Sequence, residues 1–588
     1  MSDALASKIA AGEVIERPAS IVKELVENSL DAGATEISIE LENGGKKSIR
    51  IVDNGEGMDH DNAILAFERH ATSKIYSFDE LYEIKSLGFR GEALPSIASV
   101  CRLEMLTRTE KSPAGTRLIV EGGTRPEVMD AGCPVGTTII AKDIFFSTPA
   151  RKKFLKKDST EQAHCVDAVT RLALGHPEVK ITVRAPKRTL LNLPKTTDLA
   201  ERIALLFGDG FGNHILPVKD ERGHVTLHGF ISEPSYTRSN SKNIFCFVNG
   251  RYIRDNFMLN AIMTPYRRII EHKRFPAVVL FIDVPPADID VNVHPTKMEV
   301  RFKNQWEIYK LIGGGIGKAL ADAAPLSQMA SFYSTGPADT NPTENFTERV
   351  QESLRRYTVY SGAERPTFRL NDSDDFMQQN LQRLFDTRVT TPTVMLFSTL
   401  EYMGQFDGTY LVFSGHESLV LIDQHAAHER ILFEKLKKIS YENAEEKQLL
   451  LIPEVIQLSP AEFALFGEYR HILEDAGFDV EEFGTHTVAV KSIPAILAGI
   501  NLQDLIADIS GEISKTGKAA SIDEAKDTIF SLMACKGAIK ANQKLDRPEV
   551  NNLLRELDMI PIASTCPHGR PIFIKFSIHE LERMFKRR

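Results

Sequence analysis

Six residues in the C-terminal third of the chain have the types and the spacing of metal ligands. They are Asp423, His425, Glu429, Cys535, Cys566 and His568. On a helix, His425 and Glu429 lie one turn apart on the same face and form a bidentate platform, and Asp423 ends the predicted strand just before them. A mixed set of thiol, imidazole and carboxylate ligands suits zinc or manganese. Taken alone, His425 and Glu429 have a simpler interpretation as a surface pair.

A second group, near the N-terminus, places a carboxylate and a carboxamide on one face of a predicted helix. Glu24, Asn28 and Asp31 recur at i, i+4 and i+7 within residues 22–34. Apolar residues on the adjoining faces indicate that this helix packs against a core. A surface helix with acidic side chains is the alternative.

Glycine-containing turns follow this helix. Residues 53–57, with the sequence DNGEG, come after a predicted strand. Glycine lets the backbone approach a flat ring or a phosphate, and Asp53 can accept a hydrogen bond from an exocyclic amine. Residues 88–94 contain two glycines and lead into a helix, whose N-terminal amides form an anion site. Thr138 lies at the start of a further strand.

Apolar runs predict the strands that position these groups. The predicted strands are 37–41, 48–52, 138–142, 243–249, 277–284, 410–414 and 418–423. Residues 325–392 are polar and have few apolar periodicities, which predicts a flexible linker. Within it, residues 379–385 are either a helical patch or a short peptide ligand. The sequence therefore predicts an α+β protein with several domains.

The glycine-rich segment at residues 313–318 is not a Walker A loop. The first glycine of that motif would fall at Ile312, and Ala319 stands where serine or threonine is required. We interpret this segment as the frayed end of the N-terminal part of the chain.

Length and composition describe an ordinary soluble globular protein of two to four domains. The chain has 588 residues, of which 42% are hydrophobic and 26% are charged. Its net charge of −9 gives no overall attraction to nucleic acid. Contacts with DNA would therefore come from the basic runs at residues 151–157 and 267–268. The alternative is that these runs are ordinary solvated surfaces. Scattered cysteines and the lack of a leader or long apolar run predict reduced thiols, a cytoplasmic location and no membrane span.

Seven segments, in order along the chain, resemble the ATP-binding fold shared by gyrase B subunits, Hsp90 chaperones, histidine kinases and MutL proteins. They are IAAGEVIERPAS, ELVENSLDA, DNGEG, RHATSK, GFRGEAL, GTT and FFSTPARKKFL. The first and the last narrow the resemblance to the MutL family of DNA mismatch repair. It implies a Bergerat-type ATPase α/β sandwich that binds ATP and Mg²⁺. The family usually has a short strand ahead of the position at which this chain begins.

Carried to the matching positions, the resemblance implies a role for each motif. Glu24 would be the general base that activates water, Asn28 would hold Mg²⁺ among the phosphates, and Asp53 would bind adenine. The other implied nucleotide-binding residues are Gly57, Lys74, Gly88, Arg90, Gly91 and Thr138. Residues 290–297 resemble the second, ribosomal-protein-S5-like domain of the family, which sends one lysine, here Lys297, into the ATP site. The alternative is that these glycines form ordinary turns and that the charged residues, such as Lys74, are solvated surface charges.

The candidate metal ligands lie in segments that resemble the signature of MutL proteins that cut DNA themselves. These segments are DQHA-x2-E-x4-E, ACKGAI and CPHGRP. The resemblance implies metal-assisted hydrolysis of a phosphodiester, with Asp423 and Glu429 as catalytic residues. The implied ligands of Zn²⁺ and/or Mn²⁺ are His425, Glu429, Cys535, Cys566 and His568. Glu434 would support the site without binding the metal, because it lies five residues after Glu429 and is therefore rotated off the face of His425. The alternative to a catalytic metal is a structural zinc.

Two segments concern partners. Gln448, Leu451 and Pro453 have the spacing of the peptide by which such C-terminal domains dock on the replication sliding clamp, and an edge strand ending at proline is the alternative. The apolar content of residues 487–511 makes homodimerisation plausible.

The resemblance gives four regions and one function. Residues 1–204 would be a GHKL-type ATPase domain, 205–324 an S5-like transducer, 325–392 the linker, and 393–588 an α/β dimerisation and endonuclease domain. The expected function is DNA mismatch repair by a cytoplasmic homodimer, nucleoid-associated when active, that couples mismatch recognition by MutS to strand incision. One alternative is an ATP-driven matchmaker without nuclease activity. A chaperone or topoisomerase subunit would leave the C-terminal motifs unexplained.

Overall fold

A computed structural model describes most of the chain. The described residues are 15–68, 92–186, 188–267, 269–271, 274–290, 300–323, 396–442, 447–515, 522–540, 542–560, 565–585 and 587. Five predicted site residues lie outside them, namely Lys74, Gly88, Arg90, Gly91 and Lys297. The start of the chain and the segment predicted as a linker, up to residue 395, also lie outside.

An eight-stranded sheet forms the first part of the chain, in the order β5-β4-β3-β6-β2-β1-β7-β8. Its strands are β1 (Glu36–Glu42), β2 (Ser48–Asp53), β3 (Arg102–Arg108), β4 (Gly115–Glu121), β5 (Glu127–Ala131), β6 (Gly136–Lys142), β7 (Lys180–Ala185) and β8 (Arg188–Leu193). The helices are α1 (Pro18–Asp31), α2 (His60–Leu65), α3 (Ala93–Val100), α4 (Pro149–Phe154) and α5 (Asp158–Gly175). The predicted strands at 37–41, 48–52 and 138–142 are confirmed, and α1 packs on β2 and α5.

A five-stranded sheet follows, in the order β13-β12-β15-β10-β9. The strands of this part are β9 (Ile215–Arg222), β10 (Val225–Ser232), β11 (Thr237–Arg238), β12 (Ile244–Val248), β13 (Arg251–Ile253), β14 (Phe275–Pro276), β15 (Val278–Asp283), β16 (Ile289–Asp290) and β17 (Arg301–Phe302). The helices are α6 (Leu199–Phe207), α7 (Asp209–Gly212), α8 (Asn256–Tyr266) and α9 (Gln305–Ala323). Strands β11 with β14 and β16 with β17 form two small separate sheets.

The glycine-rich segment at 313–318 lies inside α9, so its interpretation as a frayed end was wrong. Helix α9 packs on β9 and β10, and a Cβ atom at Gly315 would lie 2.8 Å from a methyl group of Leu227. Glycine at this position therefore lets the helix approach the sheet closely, and this packing outweighs the low helix propensity of glycine.

Two sheets form the C-terminal part, in the orders β18-β19-β20-β24 and β21-β23-β22. Their strands are β18 (Glu401–Phe406), β19 (Tyr410–Gly415), β20 (Ser418–Asp423), β21 (Lys447–Gln457), β22 (Asp479–Glu482), β23 (Thr487–Pro494) and β24 (Phe573–Ser577). The helices are α10 (Gln424–Glu442), α11 (Pro460–Asp475), α12 (Leu502–Lys515), α13 (Ile522–Gly537), α14 (Arg547–Asp558) and α15 (Ile578–Met584). The fold is α+β with several domains, as predicted.

Most apolar residues at 487–511 are buried in the chain's own core, so their apolar content does not by itself indicate a dimer surface. Val488 and Val490 on β23 and Leu505 and Ile509 on α12 are fully buried in the core of the C-terminal part. Their apolar content therefore stabilises the chain's own fold. None of the helices in the described part of the chain combines the length and apolar character that a bilayer span requires.

Candidate nucleotide site and metal centre

The N-terminal site begins on α1, whose buried face fixes the direction of its polar face. Ile21 and Leu25 are buried in the core beneath α1. Glu24 and Asn28 share a different face, and the Glu24 side chain is 25% exposed, so water can reach it. The Lys23 ammonium lies 3.2 Å from Glu24 Oε1 and donates a hydrogen bond to it.

Asp53, the last residue of β2, is held in a fixed orientation. Its Oδ2 atom accepts a hydrogen bond from Ser29 Oγ at 2.8 Å, and its Oδ1 atom accepts from the amides of Gly55 and Thr137 at 3.0 and 3.2 Å. Burial raises the pKa of Asp53, and the three hydrogen bonds oppose that shift. These contacts bring together α1, β2 and β6. Sequence analysis missed Ser29, because it lies one position off the face of Glu24 and Asn28.

The glycines beside Asp53 are required by neighbouring strands. Gly57 has a φ of +68°, and a Cβ atom there would lie 2.1 Å from the carbonyl oxygen of Arg108. Gly136 has a φ of +112°, and its Cβ atom would lie 2.2 Å from the carbonyl oxygen of Asp53. Thr138 lies on β6, paired with β2 and β3. The sequence predicts that glycines here let the backbone approach a ligand. In the structure, Gly57 and Gly136 instead let neighbouring strands approach each other closely.

An arginine from the second sheet faces the acidic side of α1. The Arg251 guanidinium lies on β13, burial lowers its pKa, and the nearby carboxylates of Glu27, Asp31 and Glu24 raise it. Sequence spacing gave no signal for this residue, because it is far along the chain from α1. A change in the second sheet can therefore reach the helix that carries Glu24 and Asn28.

We predict that Asp53→Asn weakens ADP binding by about 10-fold or more. The substitution removes a charged acceptor, and hydrogen bonds to charged groups contribute roughly 1.5–3 kcal/mol. Titration calorimetry with ADP measures the effect. Glu56→Gln, an exposed carboxylate in the same turn, is the matched control and should leave affinity within about 2-fold of the parent. Equal affinity in Asp53→Asn and the parent would contradict the assignment.

The C-terminal site is organised by the junction between β20 and α10. Asp423 is the last residue of β20, and its Oδ1 atom accepts hydrogen bonds from the amides of His425 and Ala426 at 2.9 and 3.1 Å. This cap begins α10 and turns His425 and Glu429 to the same face.

Four of the six predicted metal-site residues converge on a fifth, the carboxylate of Glu429. The potential ligand atoms of His425, Glu429 and Cys535 lie within 4.8 Å of one another, and so do those of Glu429, Cys566 and His568. Glu429 belongs to both groups. Asp423 lies in neither group, and Glu434 forms an ion pair with Arg430 at 2.8 Å.

The electrostatics around Glu429 fit a cation. The residue is 1% exposed, and its Oε1 atom lies 2.8 Å from His568 Nδ1. Burial, assisted by Glu429, raises the pKa of Cys535 to about 11, and burial also raises the pKa of Cys566. A divalent ion would compensate the buried carboxylate and displace the thiol protons.

The backbone of residue 539 orients two histidines. His425 Nδ1 lies 2.9 Å from the carbonyl oxygen of Ile539, and the amide of Ile539 donates to His428 Nδ1 at 3.0 Å. A carbonyl contact at Nδ1 leaves Nε2 of His425 as the ligand atom. Burial lowers the pKa of His428, which sequence analysis did not select, although its position three residues after His425 was a signal.

Three family models match the regions that contain these sites. The model described as "Histidine kinase-, DNA gyrase B-, and HSP90-like ATPase" matches residues 16–118, "DNA mismatch repair protein, C-terminal domain" matches 203–321, and "MutL C terminal dimerisation domain" matches 403–545. The first match contains α1 and β2. The third contains His425, Glu429 and Cys535, whereas Cys566 and His568 lie beyond it.

Relatives are similar over the whole chain. The "DNA mismatch repair protein MutL" of Syntrophus aciditrophicus (strain SB) is 43% identical over 611 aligned residues, which cover 100% of this chain and 99% of the relative. Proteins of the same description from Koribacter versatilis and Geobacter sulfurreducens are 39% and 40% identical, and their alignments cover the same shares.

Proposed function

Since the chain belongs to the MutL family of DNA mismatch repair proteins, we propose that it is an ATP-hydrolysing homodimer that couples mismatch recognition by MutS to incision of DNA by its own metal-dependent endonuclease. The ATPase region is of the GHKL type and the C-terminal region is of the MutL dimerisation type. The observation that supports the nuclease proposal is the convergence of four other candidate ligands on Glu429. The proposed domains are residues 1–204, 205–324 with an S5-like fold, 325–392 as linker, and 393–588.

The proposed ATPase step depends on α1 and β2. Glu24 accepts a proton from the attacking water, Asn28 holds the Mg²⁺ that accompanies ATP, and Asp53 accepts a hydrogen bond from the adenine amine. The fixed orientation of Asp53 and the solvent access of Glu24 support these roles, because phosphoryl transfer depends mainly on positioning. The remaining proposed nucleotide contacts are Gly57, Thr138, Lys74, Gly88, Arg90, Gly91 and Lys297.

The proposed nuclease step uses the residues around Glu429. His425, Glu429, Cys535, Cys566 and His568 would hold Zn²⁺ or Mn²⁺, which when bound supplies the Lewis acidity for water attack on a phosphodiester. The chain fixes the geometry of that site, because the backbone of residue 539 orients His425 and the buried α10 face holds the carboxylate in place.

An exposed apolar face supports the proposed dimer. Val412, Leu421 and Ile574 pair side by side across β19, β20 and β24, on the face opposite the buried residues of that sheet. Ile574 is 51% exposed, and Met403 on β18 and Phe585 just after α15 are 64% and 77% exposed. A contiguous face of this kind is characteristic of protein interfaces. We therefore propose this sheet, and not residues 487–511, as the dimer surface.

The sliding-clamp proposal gains support from a bulge in β21. This edge strand pairs with β23 on both sides of a break between Leu449 and Glu454. Leu451 lies in the break and is fully exposed. We predict that Leu451→Ala weakens binding to the clamp by on the order of 10-fold or more, because apolar anchors dominate such contacts.

Leu449→Ala is the control for the clamp prediction, since Leu449 is 79% exposed on the same strand but outside the Gln448, Leu451 and Pro453 pattern. Surface plasmon resonance with immobilised clamp gives both affinities. An equal loss in both variants would indicate nonspecific contact, and no loss in Leu451→Ala would leave this segment an ordinary edge strand.

The experiment that separates a nuclease from a matchmaker with a structural zinc uses Asp423→Asn. Asparagine also caps helices, and residue 423 lies outside both ligand groups, so the variant should fold and keep its zinc. We predict that its nicking of supercoiled plasmid falls by about 100-fold or more. Retained nicking in Asp423→Asn would remove this residue from the catalytic set, and absence of nicking in the parent would favour the matchmaker.

A further inference from the structure

The two halves of the chain contact each other through oppositely charged groups. The described residues ahead of 324, here the N-terminal region, and those from 401 onward, the C-terminal region, form one compact unit. Lys157 Nζ lies 2.9 Å from Glu468 Oε1, and Lys156 Nζ donates to the carbonyl oxygen of Ser514 at 2.6 Å. Farther along, a side-chain hydrogen bond joins Ser239 to Asp508 at 2.6 Å. The N-terminal region supplies the donors in all three contacts.

Two further contacts extend this docking surface. Arg274 forms an ion pair with Asp504, whose side chain is 10% exposed. On the other side, Arg188 donates to the carbonyl oxygen of Ala464 at 3.2 Å and lies 5.8 Å from the ring centre of Phe463. The two regions are therefore joined along α5, β8 and the β11–β14 pair.

The N-terminal side of the docking surface is strongly positive. Burial, and then the charges of Arg17, Lys156, Arg171 and Lys242, lower the pKa of His164 on α5 to about 4. Two of these cations reach α12, because Lys156 Nζ donates to the carbonyl oxygen of Ser514 and Lys242 Nζ lies 3.4 Å from the Cβ position of Gly511. The C-terminal end of a helix carries a partial negative charge in its last carbonyls, so α12 and the acidic side chains complement this potential.

The contact is packed where α5 meets α11, since Ala163 of α5 is buried in the core of the C-terminal region, but it is open farther along. A solvent-open cleft of about 530 Å³ lies beside the contact, lined by Arg238 and Arg274 on one side and by Gln457 and Gln503 on the other. Contacts between regions of one chain resemble transient protein interfaces, so relative motion of the two regions is the expected behaviour.

We propose that the C-terminal region docks on the N-terminal region as an internal substitute for DNA phosphates, so that DNA and the C-terminal region compete for Lys156 and Lys157. Both lysines belong to the basic run at 151–157, and in the docked chain their ammonium groups bind a helix-end carbonyl and a carboxylate. The phosphate oxygens of DNA would accept hydrogen bonds from the same two ammonium groups. The inference rests on the proposed DNA partner and adds that undocking accompanies DNA binding.

The test measures affinity for a mismatch-free duplex at one fixed salt concentration in the full-length chain. The double variant Glu468→Gln with Asp504→Asn removes two acids of the docking surface. We expect its affinity to rise on the order of 5-fold or more, a usual size for coupling between sites. The control is Glu474→Gln with Glu481→Gln, which changes net charge equally at acids paired with Arg470 and Lys491 of the C-terminal region itself.

A second variant guards against a simple charge effect or misfolding. Arg188→Ala removes a cation, which by itself would weaken DNA binding, yet it breaks docking contacts and should raise affinity above that of the parent. Small-angle scattering should show a compact parent that expands with DNA. Thermal melting checks that each variant is folded.

Each outcome decides between defined alternatives. A rise in both variants but not in the control, with expansion of the parent on DNA, supports competition. An equal rise in the control, unchanged affinity in both variants, or a compact DNA complex would overturn the inference alone. Failure of parent and variants to bind DNA would instead refute the proposed DNA partner.

Discussion

The Glu24→Ala variant is expected to hydrolyse ATP about 100-fold or more slowly than the parent while it still binds ATP. A positioned general base typically contributes 10²–10⁴-fold to such a reaction. Glu24 is solvent-accessible on α1, whereas the adenine contact proposed for Asp53 lies at the end of β2. Loss of the base should therefore reduce kcat and leave nucleotide affinity nearly unchanged.

Phosphate release under steady-state conditions and calorimetric titration with a non-hydrolysable ATP analogue measure the two effects of Glu24→Ala. Glu16→Ala is the control, since Glu16 is an exposed carboxylate just ahead of the same helix. Hydrolysis at the parent rate in Glu24→Ala would exclude Glu24 as the base. Loss of nucleotide binding together with hydrolysis would assign it to positioning of the nucleotide.

The second large effect is expected for Glu429→Gln, which should lose bound metal and at least about 100-fold of the nicking rate. Glu429 is the one residue shared by both groups of candidate ligands, and it is buried. Glutamine has nearly the same volume but no charge, so it would not help to neutralise a divalent ion held by these candidate ligands. ATP hydrolysis in the N-terminal region should be unaffected.

Metal content by mass spectrometry and nicking of supercoiled plasmid measure the effect of Glu429→Gln. Glu434→Gln is the matched control, because Glu434 lies on the same helix and in the same sequence motif but pairs with Arg430 outside both ligand groups. Metal retention with full nicking in Glu429→Gln would contradict the site, and equal losses in Glu434→Gln would indicate damage to α10.

The sequence was most informative where a local pattern dictates structure. Period-two alternation located β1 and β2, and the strand before His425 predicted the junction at which α10 begins. The i, i+4 spacing of His425 and Glu429 predicted a shared face. Glu429 also receives Cys566 and His568 from the far end of the chain, and before the fold was known these residues were linked to it only by their ligand types and by the motif resemblance.

Tertiary packing accounts for what the sequence did not reveal. The glycines at 313–318 are weak helix formers, and only the close approach of α9 to Leu227 explains them. The residues at 487–511 are apolar because two elements bury them within one core. Arg251 and Ser29 meet the nucleotide site through contacts between distant segments, which no local pattern encodes.

The most direct test of the central claim is nicking of supercoiled plasmid by the intact chain with Mn²⁺, with and without a chelator. The account predicts conversion to open circles that the chelator abolishes and fresh Mn²⁺ restores. Absence of nicking with Mn²⁺, ATP and the sliding clamp all present would contradict the account, and the C-terminal site would then be a structural metal centre in an ATP-driven matchmaker.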